Sequence, residues 1–182
     1  MRTIFGESVR IEVRAEHQID SQVHERIHAL LEESFAGYPE RSYFKQLPQF
    51  RYLAWGDGRL LGHMGIEHRM ITNGGTPLRI FGIIDLCVTA SARSQGCASR
   101  LLSEVESAAR SSGADAIVLF ADDPRIYLAN GYECVQNDGR WLMLHEHETF
   151  GIAEKPLDAL MVKMLSGKRW ESGVVDMLGY LF

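Results

Sequence analysis

Residues Ile83 to Ser112 read IIDLCVTASARSQGCASRLLSEVESAARSS. The stretch begins as a buried strand, passes through a short polar turn, and enters a helix at Arg93-Ser94-Gln95-Gly96-Cys97-Ala98. Ala98, Leu101, Leu102, Val105, Ala108 and Ala109 recur at helical spacing on one face, and Gly113 ends the helix. A strand that feeds a helix through a basic, glycine-bearing loop offers free backbone N–H groups at the positive end of the helix dipole, a cradle for phosphate. Glycine at 96 lets the backbone approach such a group with no Cβ in the way. No Gly-Lys-Ser/Thr follows, which disfavours a nucleotide P-loop, and the dinucleotide pattern GxGxxG is absent. A plain strand-to-helix turn that needs one glycine is the alternative.

Working outward, Val9 to Ala15 alternates apolar and polar residues as a half-buried strand does. Asp20 is placed to cap a helix from Ser21 to about Phe35, and Arg41 to Leu47 reads as a short second helix that Pro48 ends. Phe50 to Trp55 and Leu60 to Ile71 read as strands joined by Gly56-Asp57-Gly58; Asn73-Gly74-Gly75 then turns into a strand from about Leu78 to Val88. After the central helix, Ala116 to Phe120 is a continuous apolar run, as in a strand buried on both faces. Pro124 to Asn130 reads as a short helix, and Tyr132 to Gln136, Trp141 to His145 and Leu157 to Met164 as strands. The tail from Trp170 to Phe182 has no assignable period. There are no repeats or linkers, so residues 1–182 read as a single mixed α/β domain.

Composition narrows the function. A chain of 182 residues with 46% hydrophobic and 24% charged residues suits a soluble globular domain. A net charge of −5 argues against general nucleic-acid binding. The odd count of three cysteines and the lack of a secretory apolar core point to reduced thiols and a cytoplasmic location. No apolar run is long enough to span a bilayer. His24 with His28 and His145 with His147 are pairs without a third ligand, so no metal is expected.

The central motif Arg93-Ser94-Gln95-Gly96-Cys97-Ala98, following Val88, resembles the R/Q-x-x-G-x-G/A pattern of the GNAT superfamily of acyl-CoA-dependent N-acyltransferases. Tyr127-Leu128-Ala129-Asn130-Gly131-Tyr132 is similar to the family's aromatic, three-residue gap, Gly-aromatic signature. The resemblance covers Phe50 to Val135 best. It implies a three-layer fold: a mixed, mostly antiparallel twisted sheet of six to seven strands flanked by helices and splayed near Asp85 to Val88. Phe35-Ala36-Gly37, His63 to Ile71 and Trp170-Glu171-Ser172-Gly173 are similar to aminoglycoside 2′-N-acetyltransferases. Leu47 to Arg51 and His63-Met64-Gly65 are similar to nodulation-type N-acyltransferases. The acid that follows Ala-Gly in the aminoglycoside group is Tyr38 here.

The resemblance implies acetyl-CoA, or another acyl-CoA, as cosubstrate and a primary amine of a small molecule as acceptor. Arg93, Ser94, Gln95, Gly96, Cys97 and Ala98 would hold the pyrophosphate, and the strand end Leu86, Cys87 and Val88 the thioester, with its backbone N–H groups facing the acyl oxygen. Tyr127 would protonate the leaving thiolate; the alternative is an aromatic packed on the core. Asp85 stands in an otherwise apolar strand, so it needs a partner or a raised pKa; it is the candidate base, or else a structural hydrogen-bond acceptor. Strand alternation sets Asp85 on the face of Cys87, unless a bulge redirects it. Cys87 has no histidine beside it in sequence, and family chemistry is direct transfer. Tyr38, Glu40, Trp170 and Glu171 are candidate substrate contacts, although Glu40 and Glu171 also suit a plain surface. The apolar end, Met177 to Phe182, is a candidate homodimer contact or folds back on its own sheet. The rival expectation is a non-catalytic CoA-binding module, favoured by Asp122-Asp123, where many relatives carry a neutral amide-type residue.

Overall fold

The computed structural model describes residues 9–182. The start of the amino-terminal strand at Val9 is described, whereas residues 1–8, read above for their lack of an apolar leader, lie outside the described residues. The elements follow one another as β1 (Arg10–Ala15), α1 (Ser21–Ser34), β2 (Phe50–Gly56), β3 (Arg59–Asn73), β4 (Thr76–Val88) and α2 (Cys97–Ser111). They continue as β5 (Ala116–Phe120), α3 (Arg125–Ala129), β6 (Glu133–Cys134), β7 (Asp138–His145), β8 (Glu148–Pro156), β9 (Leu160–Met164) and β10 (Val175–Tyr180). The fold is α/β, a mixed and mostly antiparallel sheet with helices on it, as the sequence implied. The described strands number ten rather than six or seven. No helix among the described residues is long and apolar enough to cross a membrane.

The chain divides into two compact units, one holding the described residues up to Ile66 with Asp85–Val105, the other Glu67–Ile84 with Glu106–Phe182. In the first, β1 pairs antiparallel with β2, Val13 opposite Tyr52, and β2 pairs antiparallel with β3, Leu53 opposite His63. Helix α1 starts where Asp20 accepts from the Val23 amide at 2.9 Å. It buries Val23, Ile27, Leu30 and Leu31 with Leu53 and Cys87. Leu101, Leu102 and Val105 of α2 are buried too. At Gly62 of β3 the packing leaves little room for a side chain: a Cβ there would lie 3.2 Å from the Cys87 carbonyl oxygen, 3.3 Å from Cys97 Sγ and 3.2 Å from Leu101 Cδ1.

In the second unit the strands follow the order β6-β9-β5-β4-β3-β10-β7-β8. β5 runs parallel to β4 from Ile80 to Ile83, and the register stops there, short of Asp85. Two parallel neighbours need a crossover between them, which α2 provides in sequence. β10 is antiparallel to β3 and parallel to β7. Its core gathers Ile71, Leu78, Ile80, Val118, Leu160, Val162, Val175 and Met177. The carboxyl-terminal tail folds back on this unit: a Cβ at Gly82 would lie 2.7 Å from Cζ of Phe182, and Arg69 stacks over the Phe182 ring at 4.7 Å.

Three expectations need correction. Residues 41–47 form bends, not a helix. The carbonyls that a helix would use are taken by side chains: Ser42 O accepts from Arg51, and Tyr43 O and Phe44 O accept from Arg41. The strand read from Tyr132 to Gln136 shortens to Glu133–Cys134. Strands β8 and β10 were not expected at all. β8 buries only Ala153, so it has no alternation to read, and β10 carries a register shift between Asp176 and Tyr180 that hides its period.

Candidate active site

Asp85 sits near the end of β4 with φ of +51°. This left-handed conformation is sparsely populated for residues other than glycine, asparagine and aspartate. It is the redirection that strand alternation alone does not predict. The carboxylate accepts from the Tyr38 hydroxyl at 2.6 Å. Burial holds the Asp85 carboxyl above the ordinary carboxylate range, against the lowering pull of the Tyr38 bond and of the Arg51 and Lys45 charges. Tyr38 is driven the same way, chiefly by burial and then by Asp85, so its hydroxyl stays protonated and donates. Its ring lies between those of Phe35 and Phe44, 6.0 and 5.8 Å away.

Behind Asp85 runs a buried polar chain. The backbone carbonyl of Asp85 is 3.1 Å from Nδ1 of His63, and Nε2 of His63 is 3.0 Å from Nη1 of Arg51. Arg51 and His63 are both 0% exposed. Arg51 donates to both oxygens of Glu16, at 2.6 and 3.1 Å, and to the carbonyl and hydroxyl oxygens of Ser42. Burial, with Arg51 alongside, pushes the His63 pKa down to about 3, so the ring is neutral.

Along the same strand, Cys87 is buried, and burial pushes its thiol up to about 12. A thiol so protonated is a poor nucleophile. Leu86 and Val88 are partly exposed. Thr89 and Ala90 begin a single 3₁₀ turn, and the Thr89 hydroxyl and the Ala90 amide both donate to Glu33 of α1. The loop 93–96 is exposed. Ser94 and Gly96 both take positive φ, +59° and +79°, and nothing lies within 4 Å of a Cβ built at Gly96. Arg93 Nε donates to the Val88 carbonyl at 3.1 Å, which ties the loop to the strand end. Cys97 and Ala98 open α2, where the first amides have no intrahelical acceptor. An open, curled loop at a helix start fits a phosphate group.

Tyr127, in α3, stands edge-on to Tyr132 with ring centroids 5.8 Å apart, and its carbonyl accepts from the Asn130 and Tyr132 amides. Glu40 is exposed in the first unit. Trp170 donates from its ring N–H to Asn137 at 2.8 Å; Glu171 is tied through its backbone to Asn73 and Asn137. The structure therefore joins Tyr38 directly to Asp85, and gives Trp170 and Glu171 partners within the second unit.

A family comparison matches residues 17–135, more than half of the chain, to the acetyltransferase (GNAT) domain. The chain belongs to the GNAT acetyltransferases. Among solved structures, a GNAT family N-acetyltransferase of Escherichia coli, YhbS, in complex with CoA is 22% identical, covers 96% of this chain and 93% of its own, and has a TM-score of 0.61. A GNAT family acetyltransferase of Brucella melitensis in complex with acetyl-CoA is 20% identical over 69% of this chain and 84% of its own, with a TM-score of 0.51. An acyl-CoA N-acyltransferase of Pseudomonas aeruginosa is 16% identical over 86% and 99%, with a TM-score of 0.59. At these identities the likeness is one of fold. No protein of curated function matches the chain. None of these relatives singles out the aminoglycoside or nodulation subgroups within the GNAT family.

Sequence reasoning passed over Glu16, Ser42, Arg51 and His63 as a group. The signal was present: Arg51 and His63 stand in runs that are otherwise apolar and buried, 51–54 in β2 and 61–66 in β3. A charged residue in such a place needs partners.

Proposed function

We propose that this GNAT protein, acting as one acyltransferase domain, moves an acetyl or related acyl group from acyl-CoA to a primary amine of a small molecule by direct transfer. One observation carries the reading. Strand β4 delivers Asp85, bonded to Tyr38, and leads within eight residues into the open loop 93–96 at the start of α2. Arg93 to Ala98 hold the pyrophosphate, and the Leu86–Val88 backbone lies along the thioester. The amine nitrogen bonds to the acyl carbon while the carbon–sulfur bond breaks. Asp85, with its raised pKa, takes the proton the ammonium must lose. Tyr127 gives its hydroxyl proton to the thiolate and is reprotonated, through water, by the second proton the acylated nitrogen loses. The products are an amide and free CoA.

The acceptor class that follows from the subgroup resemblances is an amino sugar, with Glu40, Trp170 and Glu171 as further contacts. Tyr38 replaces the acid of the aminoglycoside group and is engaged with Asp85, so it adds no charge for a polycation. The test is release of free thiol from acetyl-CoA with a panel of simple amines, amino sugars and aminoglycosides. Turnover with an amino sugar that falls about 10²-fold or more in Tyr127→Phe supports the assignment. Tight acetyl-CoA binding without thiol release on any amine would make the chain a CoA-binding module instead.

A further inference from the structure

We infer that His63 is a positioning residue: its imidazole, fixed by Arg51, latches the Asp85 backbone in the left-handed turn that aims the carboxylate at Tyr38. For turnover the inference rests on the reading of Asp85 as proton acceptor; for geometry it does not.

The hydrogen positions follow from chemistry. Arginine only donates, so Nη1 of Arg51, 3.0 Å from Nε2 of His63, requires a lone pair there. The ring's one N–H is then on Nδ1, which faces the Asp85 carbonyl at 3.1 Å and donates to it. Arg51 cannot turn away. It has five N–H bonds, and each has an acceptor: two on Glu16, two on Ser42 and one on His63. The imidazole has no room either, being fully buried. A second proton on the ring would set an N–H against the guanidinium.

The other half of the argument is conformational. Aspartate takes the left-handed region more readily than most residues, so φ of +51° is settled here by the groups that hold Asp85 and not by strain alone. Here the constraint comes from two sides, His63 on the carbonyl and Tyr38 on the carboxylate. β1 leads into Glu16, β2 carries Arg51, β3 carries His63 and β4 carries Asp85, so the latch spans the strands of the first unit.

Three variants test this by crystal structure and steady-state kinetics. His63→Asn keeps an N–H near the Nδ1 position. His63→Gln reaches the Nε2 position with an acceptor for Arg51 but has no donor at Nδ1. His63→Leu fills the space with neither. In the Asn variant residue 85 should keep its positive φ, with kcat within about threefold of wild type. In the Gln and Leu variants the turn should relax and the Tyr38–Asp85 bond be lost. There kcat should fall about 10- to 100-fold with KM for acetyl-CoA unchanged, the size of effect a misplacement of about 1 Å produces. A positive φ at residue 85 in the Gln and Leu structures overturns the inference, as does an Asn variant that loses as much kcat as Gln. If the Leu protein does not fold, the Asn and Gln pair decides. Asp85→Asn, assayed beside them, separates the two claims: wild-type turnover there removes Asp85 as base, and the φ at residue 85 alone then judges the latch.

Discussion

The Tyr38 hydroxyl donates to the Asp85 carboxylate at 2.6 Å, across 47 residues of intervening chain. The phenol stabilises the ionised carboxylate while burial opposes it, and burial wins. In Tyr38→Phe the opposing bond is gone, so the Asp85 carboxyl should hold its proton to still higher pH. The acidic limb of the pH profile of kcat should move upward. A limb that stays in place would mean that a group other than Asp85 titrates there.

Asp85 meets a backbone demand, its positive φ, and in the proposed function a chemical one, and substitutions divide them. Asparagine tolerates the left-handed conformation and removes the charge. Asp85→Asn should lower kcat/KM by about 10²- to 10⁴-fold and leave the acetyl-CoA dissociation constant near wild type. Asp85→Ala should lose activity as well and fold less stably by about 1–2 kcal/mol, read by urea unfolding, because alanine bears the left-handed strain.

Stability should depend on pH through His63. Its pKa is about 3 in the folded chain and about 6.5 unfolded, so between those values the unfolded state binds the extra proton. The stabilisation is full above about pH 6.5 and is lost at about 1.4 kcal/mol per unit as the pH falls. The stability gap between wild type and His63→Asn should therefore shrink by about 2 kcal/mol from pH 6.5 to pH 5. Urea titrations at the two pH values measure it, and a constant gap would show that the ring is not held neutral.

The cysteines should react in an order set by exposure and, between the two buried ones, by how far burial raises the thiol. Cys134 is exposed, whereas Cys87 and Cys97 are buried. With its thiol at about 12, Cys87 at pH 8 carries roughly 10³-fold less thiolate than a free cysteine. Mass spectrometry after brief alkylation of the native protein should find Cys134 labelled first and Cys87 last. Early labelling of Cys87 would argue for an activated thiol and reopen a covalent route.

Gly82 and Phe182 make a steric pair. Gly82→Ala should destabilise the second unit by about 1–3 kcal/mol as the ring is forced aside. The same change in a Phe182→Ala background should cost much less. Equal losses in both backgrounds would detach the tail from this contact.

What the sequence revealed depended on local period. The central helix kept its apolar face over fifteen residues, Cys97–Ser111, and β5 announced itself by an unbroken apolar run, Ala116–Phe120. Asp85 stood out as an acid in an otherwise apolar strand and Tyr127 by motif spacing, both of them local signals. The chain from Glu16 through Arg51 and His63 to Asp85 was invisible, because its links span 35, 12 and 22 residues and carry no period. The bend at 41–47 was misread because the side chains of Arg51 and Arg41 claim the carbonyls of Ser42 and Phe44, contacts that no local pattern announces.

Gly62 has a use beyond packing. A Cβ there would press on the Cys87 carbonyl of the strand and on Cys97 and Leu101 of the helix at once. A single methyl at this hidden position would wedge β4 from the first turn of α2 without altering any residue of the loop 93–96. With the loop in its proposed role, Gly62→Ala is thus a remote dial on its aperture and should weaken acetyl-CoA binding while every donor remains in place.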